Sequence, residues 1–85
     1  MAYQINFTPY ADKQLKKLPN DTQVEIVKKI DTLKENSRPH GSQKLAGNNN
    51  LYRLRIGDYR VIYQIQDKLL QVSVVKVAHR RDVYR

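Results

Sequence analysis

Six of the seven arginines lie in the second half of the 85-residue chain. Residues 41–85 carry nine basic and three acidic side chains, whereas residues 1–40 carry seven and five. The arginine guanidinium is a planar fork that binds phosphate through two parallel hydrogen bonds and stacks on bases, whereas the lysine ammonium is a point charge. The second half is therefore predicted to hold a binding site for a polyanion. Its arginines are Arg53, Arg55, Arg60, Arg80, Arg81 and Arg85.

Three of these arginines lie in a stretch that is predicted to form a β-hairpin, L-Y-R-L-R-I-G-D-Y-R-V-I-Y-Q-I at residues 51–65. Apolar and polar residues alternate on both sides of Gly57-Asp58, a dipeptide that suits a two-residue turn of type II′. The resulting register places Arg55 opposite Arg60, with Arg53 on the same face. The other face is predicted to be a core, formed by Tyr52, Leu54, Ile56, Tyr59, Val61 and Tyr63. Like charges directly across a sheet are destabilising. The three arginines are thus either a solvated surface or a site for a polyanion.

The rest of the composition excludes several kinds of catalysis. The chain has no cysteine, its acidic residues are scattered, and its two histidines, His40 and His79, are far apart. Neither thiolate chemistry nor a metal site is therefore expected. The three glycines lack the spacing of a phosphate-binding loop. We expect a site without metal or cofactor.

Arginines with one tyrosine and one histidine suit RNA cleavage in which the substrate's own 2′-hydroxyl attacks the adjoining phosphodiester. This reaction requires positive charge at the pentacovalent phosphate, a base at the 2′-oxygen and an acid at the leaving 5′-oxygen. Tyr84 is expected to stack on a splayed base. Histidine changes its charge near neutral pH, which makes His79 the candidate base, although a surface histidine at a strand end fits it equally well. His40 is expected to be an exposed loop residue.

The first half of the chain is predicted to be a scaffold of one strand and two helices. Alternation over residues 3–7 indicates a short strand. Thr8-Pro9 supplies the N-cap and the first position of one helix. A second helix is expected to start at Asn20, with Gln23 closing a capping box. The apolar stripes of the two helices are Ala11, Leu15 and Leu18 in the first and Ile26, Val27, Ile30 and Leu33 in the second.

The second half is predicted to contain a loop followed by three strands. Residues 37–50 are rich in glycine and asparagine, which indicates a loop. After the hairpin, a two-residue turn at Asp67-Lys68 is expected to lead into a strand over residues 69–77. In that register the strand contributes Leu70, Val72 and Val74 to the core and places Ser73 and Val75 beside Arg60.

These elements predict one α+β domain over residues 1–85: an N-terminal strand, a helical hairpin, a three-stranded antiparallel meander and a short C-terminal segment. The meander brings the C-terminal tail close to the Gly57-Asp58 turn. The net charge of +8 indicates an anionic partner. The lack of cysteine and of a long apolar run favours a cytoplasmic protein that does not contact membranes.

Three stretches carry a family resemblance: K-L-A-G at residues 44–47, L-Y-R-L-R-I-G-D-Y-R-V-I-Y at residues 51–63, and H-R-R-D-V-Y-R at residues 79–85. Together they resemble the RelE family of bacterial toxins, in the RelE/ParE superfamily of toxin–antitoxin systems. The resemblance covers nearly the whole chain. The hairpin is shared across the superfamily, whereas the tail with Arg80 and Tyr84 favours RelE over ParE.

The resemblance implies ribosome-dependent cleavage of mRNA in the ribosomal A site, which inhibits translation. By that match Arg60 and Arg80 hold or protonate the phosphate and the leaving oxygen, and Tyr84 stacks on or orients the nucleotide. Arg53 and Arg55 correspond to further basic positions of the family's site. Additional RNA contacts are predicted for Lys44, Arg81 and Arg85.

The resemblance also implies partners. They are an antitoxin that is acidic where it touches this chain, mRNA, and ribosomal RNA docked on the lysines of the helices. Two other classes of protein stay open: a ParE-like protein that poisons DNA gyrase without nuclease activity, and a small RNA-binding module without catalysis. The hairpin tyrosines are expected to face the core, which argues against a module that stacks bases on an exposed sheet.

Overall fold

The described part of the chain forms a five-stranded sheet with helices, and the predicted α+β class is confirmed. The computed structural model describes residues 2–45, 47 and 50–83. The strands are β1 (Gln4–Phe7), β2 (Ser42–Lys44), β3 (Leu51–Ile56), β4 (Tyr59–Gln66) and β5 (Gln71–His79). The helices are α1 (Pro9–Lys16), α2 (Asn20–Asp31) and α3 (Arg80–Val83), with 3₁₀ turns at Thr32–Lys34 and Asp67–Leu69. None of the helices described has the length and apolar character needed to cross a membrane.

The strands lie in the order β1-β5-β4-β3-β2. Strands β2 to β5 form an antiparallel meander, and β1 joins it in parallel beside β5. The meander has one strand more than predicted, because β2 lies inside the segment that was expected to be a loop. This strand is only three residues long and its three side chains are polar, so no alternation of apolar residues indicates it.

The core lies between α1, α2 and one face of the sheet. The strands contribute alternate residues to it, as their period of two requires. The largest fully buried side chains are Tyr63, Ile26, Ile30, Leu33, Leu54, Ile65, Val61, Val72 and Val74. The residues between these strand positions form the other face, which we call the open face because neither α1 nor α2 packs on it.

Both helices begin where the sequence predicts, but the predicted capping interaction is present only in α1. The Thr8 hydroxyl accepts a hydrogen bond from the Ala11 backbone N–H at 3.2 Å, and Pro9 occupies the first turn of α1. The predicted capping box of α2 is wrong. The Gln23 side chain instead donates to the Leu18 carbonyl at 2.7 Å, and so ties the start of α2 to the end of the preceding helix.

One predicted core position on α2 is also wrong. Val27 is 43% exposed, whereas its neighbour Ile26 and the next-turn residue Ile30 are buried. Successive residues of an α-helix are rotated by about 100°, so Val27 points away from the sheet when Ile26 faces it. The packed stripe is therefore narrower than the run of apolar residues.

The central hairpin has the predicted register, with Arg55 paired to Arg60 and Tyr52 to Tyr63. Gly57 has φ +58°, the positive value that a type II′ turn requires at its first central position. Glycine adopts this conformation without steric cost. The turn therefore fixes which side chains share a face.

The connection from β4 to β5 is longer than predicted. A 3₁₀ turn at Asp67–Leu69 is followed by Leu70 in the left-handed conformation, so Leu70 belongs to the turn and not to the core face of β5. Further along β5, Val74 pairs with Tyr63 whereas Lys76 pairs with the preceding residue of β4, which leaves Val75 as a β-bulge. An extra residue moves all later side chains of a strand to the opposite face.

Candidate functional site

The three hairpin arginines lie on the open face of the sheet, near the Gly57-Asp58 turn. Arg55 and Arg60 are paired across β3 and β4, and Arg53 lies two residues along β3 on the same side. Arg55 is exposed, whereas Arg53 and Arg60 are half-buried. We refer to these three residues as the arginine face.

Two members of the arginine face make hydrogen bonds to neutral oxygens. The Arg53 Nη2 donates to the Gln43 side-chain oxygen at 2.6 Å, across the β2–β3 pair. The Arg55 Nε donates to the Gly57 carbonyl at 3.3 Å. A neutral acceptor orients a guanidinium without cancelling its charge. These two bonds therefore position the arginines, and neither bond cancels a positive charge.

Arg60 differs from both, because its Nη1 is buried and makes no hydrogen bond with any residue that the structure describes. A buried donor without an acceptor lowers stability by about 1–3 kcal/mol. The ion pairs found between described residues lie elsewhere, and none includes Arg55 or Arg60. An oxygen-rich anion bound at the arginine face would supply the missing acceptor.

Strand β5 adds a further cation to this side of the sheet. Arg60 pairs with Ala78, and Lys76 lies two residues from Ala78 on the same face. The predicted placement of Ser73 and Val75 beside Arg60 is wrong. The longer connection pairs Gln66 with Gln71 instead of Leu69, and the bulge at Val75 shifts the later pairs by one residue more, so that Arg60 lies opposite Ala78. The basic surface therefore continues from β3 across β4 to β5.

The short helix α3 begins beside the hairpin turn. The Arg80 backbone N–H donates to the Asp58 carbonyl at 2.8 Å, and the Arg81 backbone N–H donates to the His79 Nδ1 at 3.3 Å. Both Arg80 and Arg81 are exposed. The structure thus brings these two arginines to the end of the sheet that carries the arginine face.

Two of the predicted site residues point to the other side of the sheet. His79 pairs with Tyr59 on the helix-covered face, and their rings meet edge to face with centroids 5.4 Å apart. Lys44 pairs with Tyr52, another residue of that face. The structure therefore brings neither His79 nor Lys44 to the arginine face, since neighbouring residues of a strand take opposite faces.

The remaining predicted residues complete this inventory. Tyr84 and Arg85 lie outside the residues that the structure describes. His40 is exposed in the connection between α2 and β2, as predicted. Within residues 2–45, 47 and 50–83, no three His, Asp or Glu side chains come together in a group that could hold a metal ion. The chemistry of the described site is that of guanidinium and ammonium groups.

A family model of the ParE toxin of type II toxin–antitoxin systems, parDE, matches residues 5–84 of this chain. The chain belongs to this toxin family. Toxin RelG of Mycobacterium tuberculosis is 34% identical over 89 residues, which span 100% of this chain and 99% of RelG. The mRNA interferase toxin RelE of Escherichia coli strain K12 is 33% identical over 82 residues, 94% of this chain and 85% of RelE.

The fold of the toxin agrees with that of solved RelE structures. The archaeal RelE–RelB complex from Pyrococcus horikoshii OT3 contains a chain that superposes with a TM-score of 0.84 at 30% identity, covering 96% of this toxin and 99% of that chain. The resemblance to RelE that residues 44–47, 51–63 and 79–85 indicate is confirmed. The toxin therefore carries a RelE-like fold with the arginine face on its open side.

At the opposite end of β4, the toxin has a cluster of polar and aromatic residues around Arg38 that the sequence did not indicate. The guanidinium of Arg38 donates two hydrogen bonds to the Asp67 carboxylate, at 2.8 and 3.3 Å, and the Tyr3 hydroxyl donates to the same carboxylate at 2.6 Å. The bonds from Arg38, and then that from Tyr3, hold the pKa of Asp67 below its usual range. Because Arg38 and Asp67 are 29 positions apart, no local pattern pairs them.

Aromatic residues complete this cluster. The Arg38 Nε donates to the Tyr52 hydroxyl at 2.9 Å, and its guanidinium carbon lies 5.2 Å from the centre of the Tyr52 ring. Tyr52 stacks on Tyr63, whose buried hydroxyl donates to the Ser37 carbonyl at 3.0 Å. Burial raises the pKa of Tyr63. We refer to Tyr3, Arg38, Tyr52, Tyr63 and Asp67 as the Arg38 cluster; it fastens the segment after α2 to the sheet.

Proposed function

We propose that this chain is the toxin of a type II toxin–antitoxin system and that it inhibits translation by cutting mRNA on the ribosome. The observation that carries the proposal is the buried Nη1 of Arg60, which has no acceptor among the described residues. The face on which it lies also presents Arg55 and Arg53. The relative named mRNA interferase toxin RelE supports the choice of substrate. The toxin is accordingly an endoribonuclease that acts in the cytoplasm.

The cut proceeds by attack of the substrate's own 2′-hydroxyl on the adjoining phosphodiester. A bond forms between the 2′-oxygen and phosphorus, and the bond from phosphorus to the 5′-oxygen breaks. A proton moves from the 2′-oxygen to a base, and the leaving 5′-oxygen takes up a proton from that base or from water to become a hydroxyl. The pentacovalent phosphate carries more negative charge than the ground state. Cations that are already in place stabilise that charge without reorganisation.

Each arginine has a part in this step. Arg60 donates to the non-bridging phosphate oxygens, and Arg55 and Arg53 add positive charge from β3. Arg80, the first residue of α3, lies beside the Gly57-Asp58 turn and is assigned to the leaving 5′-oxygen. Because a guanidinium keeps its proton at all ordinary pH values, these residues act mainly by charge and hydrogen bonding.

The base at the 2′-oxygen is a separate question, since the arginines cannot accept a proton. His79 lies on the helix-covered face of the sheet, away from Arg60. We assign the proton acceptor to Tyr84 or to the surroundings that the ribosome gives to the substrate. A site without a strong base of its own depends on orientation of the 2′-oxygen in line with the leaving group, and the ribosome supplies that orientation.

The partners follow from charge. The exposed helix surface carries Lys13, Lys16, Lys28 and Lys29, which dock on ribosomal RNA through its phosphates. The mRNA lies in the ribosomal A site against the arginine face. Between rounds of activity an antitoxin binds the toxin, as RelB binds RelE in the archaeal complex. The antitoxin is acidic where it covers the arginine face, because carboxylates satisfy the guanidinium donors there.

The description of the matching family model as a ParE toxin favours a second candidate, a protein that poisons DNA gyrase. In that function the arginine face binds an anionic surface and cuts nothing. The two candidates differ in the fate of mRNA and of DNA, so one experiment separates them.

That experiment maps the 5′ ends of an mRNA translated in vitro with the toxin added. Cuts in phase with the codons support mRNA cleavage on the ribosome. An intact message together with gyrase-dependent DNA breaks would instead establish the ParE-like candidate. The chemistry has its own readout. Attack by the 2′-hydroxyl leaves a cyclic or 3′-phosphate upstream and a 5′-hydroxyl downstream, and a 2′-deoxy nucleotide at the cut position blocks the reaction.

A further inference from the structure

A cleft beside the free edge of β5 has the side chains of a nucleotide-binding site. It has a volume of about 520 Å³ and lies between α1 and the last residues of β5. Its lining includes three rings and two lysines, namely Tyr10, Tyr59, His79, Lys17 and Lys76. No acidic residue of the described chain lines it. Aromatic rings stack on unpaired bases, and lysines bind the phosphates that join them.

The rings are placed so that a flat group can enter. Tyr59 and His79 meet edge to face in one wall of the cleft. Tyr10 is 60% exposed, and no hydrogen bond or ring contact between described residues holds its side chain. An exposed tyrosine presents a large, rigid ring that loses little conformational freedom when it binds. The ring of Tyr10 is thus available to a ligand at the mouth of the cleft.

The cleft continues from the arginine face around the edge of β5. Lys76 and Ala78, which line the cleft, also lie on the open face, where Ala78 pairs with Arg60. Val77 and His79, also lining residues, take the opposite face. Neighbouring strands are about 4.8 Å apart. An RNA chain with a phosphate at Arg60 therefore has only one strand to cross before it reaches the cleft.

The edge of β5 beside the cleft is not open to an added strand. β1 ends at Phe7, opposite Val74, and leaves the rest of this edge without a strand partner. There the Gln14 side-chain oxygen accepts a hydrogen bond from the Val77 backbone N–H at 2.8 Å. Because Gln14 occupies the donor that an extended peptide would use, the cleft favours a ligand that binds through rings and charges.

We propose that this cleft binds an unstacked base of the mRNA, from a nucleotide next to the one whose phosphate lies at the arginine face. Tyr10 stacks on the base, and Lys17 and Lys76 bind the adjoining phosphates. The identity of the ligand as mRNA rests on the proposed function. The cleft itself is tested by binding, without reference to cleavage.

The test uses a 2′-O-methyl RNA tetranucleotide, which cannot be cut because its 2′-oxygens are blocked. Its affinity for the full chain is measured by fluorescence anisotropy, and the rings that it contacts are identified by NMR. Tyr10→Ala is expected to weaken binding about fivefold or more, whereas Tyr10→Phe keeps the ring and binds like the wild type. Thermal unfolding verifies that both variants are folded.

Two matched controls separate stacking from general attraction to RNA. Lys17→Gln should weaken binding, whereas the change Lys13→Gln removes the same charge from an exposed residue that does not line the cleft and should have a smaller effect. A tetranucleotide of equal charge without bases should bind Tyr10→Ala and the wild type equally. Equal binding of the base-containing probe to Tyr10→Ala and Tyr10→Phe overturns the proposal. Contacts of the probe with the arginine face alone do so too.

Failure of the cleft and failure of the proposed function look different. Codon-phased cuts by a toxin whose RNA binding is insensitive to Tyr10 would remove the cleft and leave the function. Binding that depends on the Tyr10 ring, combined with an uncut message, would remove the function and leave a nucleotide-binding cleft. Displacement of the probe from the cleft rings by an acidic peptide that binds there more tightly than any RNA would assign the cleft to a protein partner and overturn the proposal.

Discussion

Arginine has opposite surroundings at the two ends of β4. At one end Arg38 donates two hydrogen bonds to Asp67 and one to Tyr52, and lies over an aromatic ring. At the other end Arg60 has a buried nitrogen without an acceptor among the described residues and a second arginine directly opposite. The first arrangement stabilises the fold, and in the proposed function the second keeps charge available for a ligand. We therefore expect the acceptors around an arginine to distinguish a structural from a functional role better than its position in the sequence does.

The two ends are independent enough to be changed one at a time. Strand β4 has eight residues and rises about 3.3 Å per residue, so roughly 20 Å separates its ends. This distance exceeds the Debye length of about 8 Å at physiological ionic strength. Substitutions so far apart, without shared partners, usually have additive effects.

The largest effect is expected from a substitution of Arg60, at the end of β4 that carries the arginine face. Arg60→Gln keeps the length and polarity of the side chain but removes one of two facing charges. We expect mRNA cleavage to fall about 100-fold or more, because a preorganised donor to the transition state is lost. Stability should be unchanged or higher by up to about 1 kcal/mol, because the repulsion is relieved. Quantitative cleavage assays and thermal unfolding measure the two effects.

Other combinations would contradict this view of Arg60. Intact cleavage with unchanged stability would make the arginine face an ordinary solvated surface. An unfolded Arg60→Gln variant would mean that Arg60 has a structural partner beyond the described residues.

A substitution of Arg38, at the other end of β4, should lower stability and leave cleavage nearly unchanged. Arg38→Gln removes the bidentate bond to Asp67 and the contact with Tyr52, so we expect the Tm to fall by a few degrees. The ion pair is partly exposed, which limits its contribution. Cleavage measured well below the Tm should stay within about twofold of the wild type, because coupling over this distance is small. Loss of cleavage in a folded Arg38→Gln variant would show that the Arg38 cluster and the arginine face do not act independently.

The pH dependence of stability offers a finer test of the Arg38 cluster. Folding lowers the pKa of Asp67, so its contribution is complete above the unfolded-state pKa and disappears as the pH falls through the folded-state value. The stability difference between wild type and Asp67→Asn should be constant near neutral pH and shrink below about pH 4. Denaturant unfolding over this range measures it. A stability difference that did not change with pH would mean that the negative charge of Asp67 does not stabilise the folded protein.

The smallest effect concerns His79. If its place on the helix-covered face excludes it as the base, His79→Ala keeps the pH–rate profile of the wild type, even where loss of its ring contact with Tyr59 lowers the rate somewhat. Cleavage rates measured across neutral pH decide this. Disappearance of an inflection near neutrality would restore His79 as the base, and His40→Ala serves as the exposed-histidine control.

The sequence predicted the hairpin completely and the surrounding elements in part. A two-residue turn fixes the register of a hairpin, so the pairing of Arg55 with Arg60 could be predicted from the spacing around Gly57-Asp58. The bulge at Val75 could not be predicted, because an extra residue in a strand rich in valine leaves the apolar pattern unbroken. Together with the longer connection between β4 and β5, it displaced the expected neighbours of Arg60.

Long-range polar contacts were also beyond the sequence. The pairing of Arg38 with Asp67 depends on how the segment after α2 returns to the sheet. The spacing of residues along the chain does not indicate the course of that segment. The position of His79 depends on the same bulge, because one residue decides the face on which a strand side chain lies. Residue types thus indicated the chemistry, whereas strand parity decided which side chains share a surface.

The bulge at Val75 has a consequence for how this strand tolerates insertions and deletions. Upstream of it, β5 sends Val72 and Val74 into the core, and downstream it sends Val77 there and Lys76 outwards. Removal of Val75 would make Val74 and Lys76 neighbours, and these two already take opposite faces, so the strand would become regular with its downstream side chains in place. An insertion or deletion at a regular position of β5 would instead exchange inner and outer positions along part of the strand. Strand β5 is therefore expected to tolerate loss of one residue at the bulge better than a change of length elsewhere.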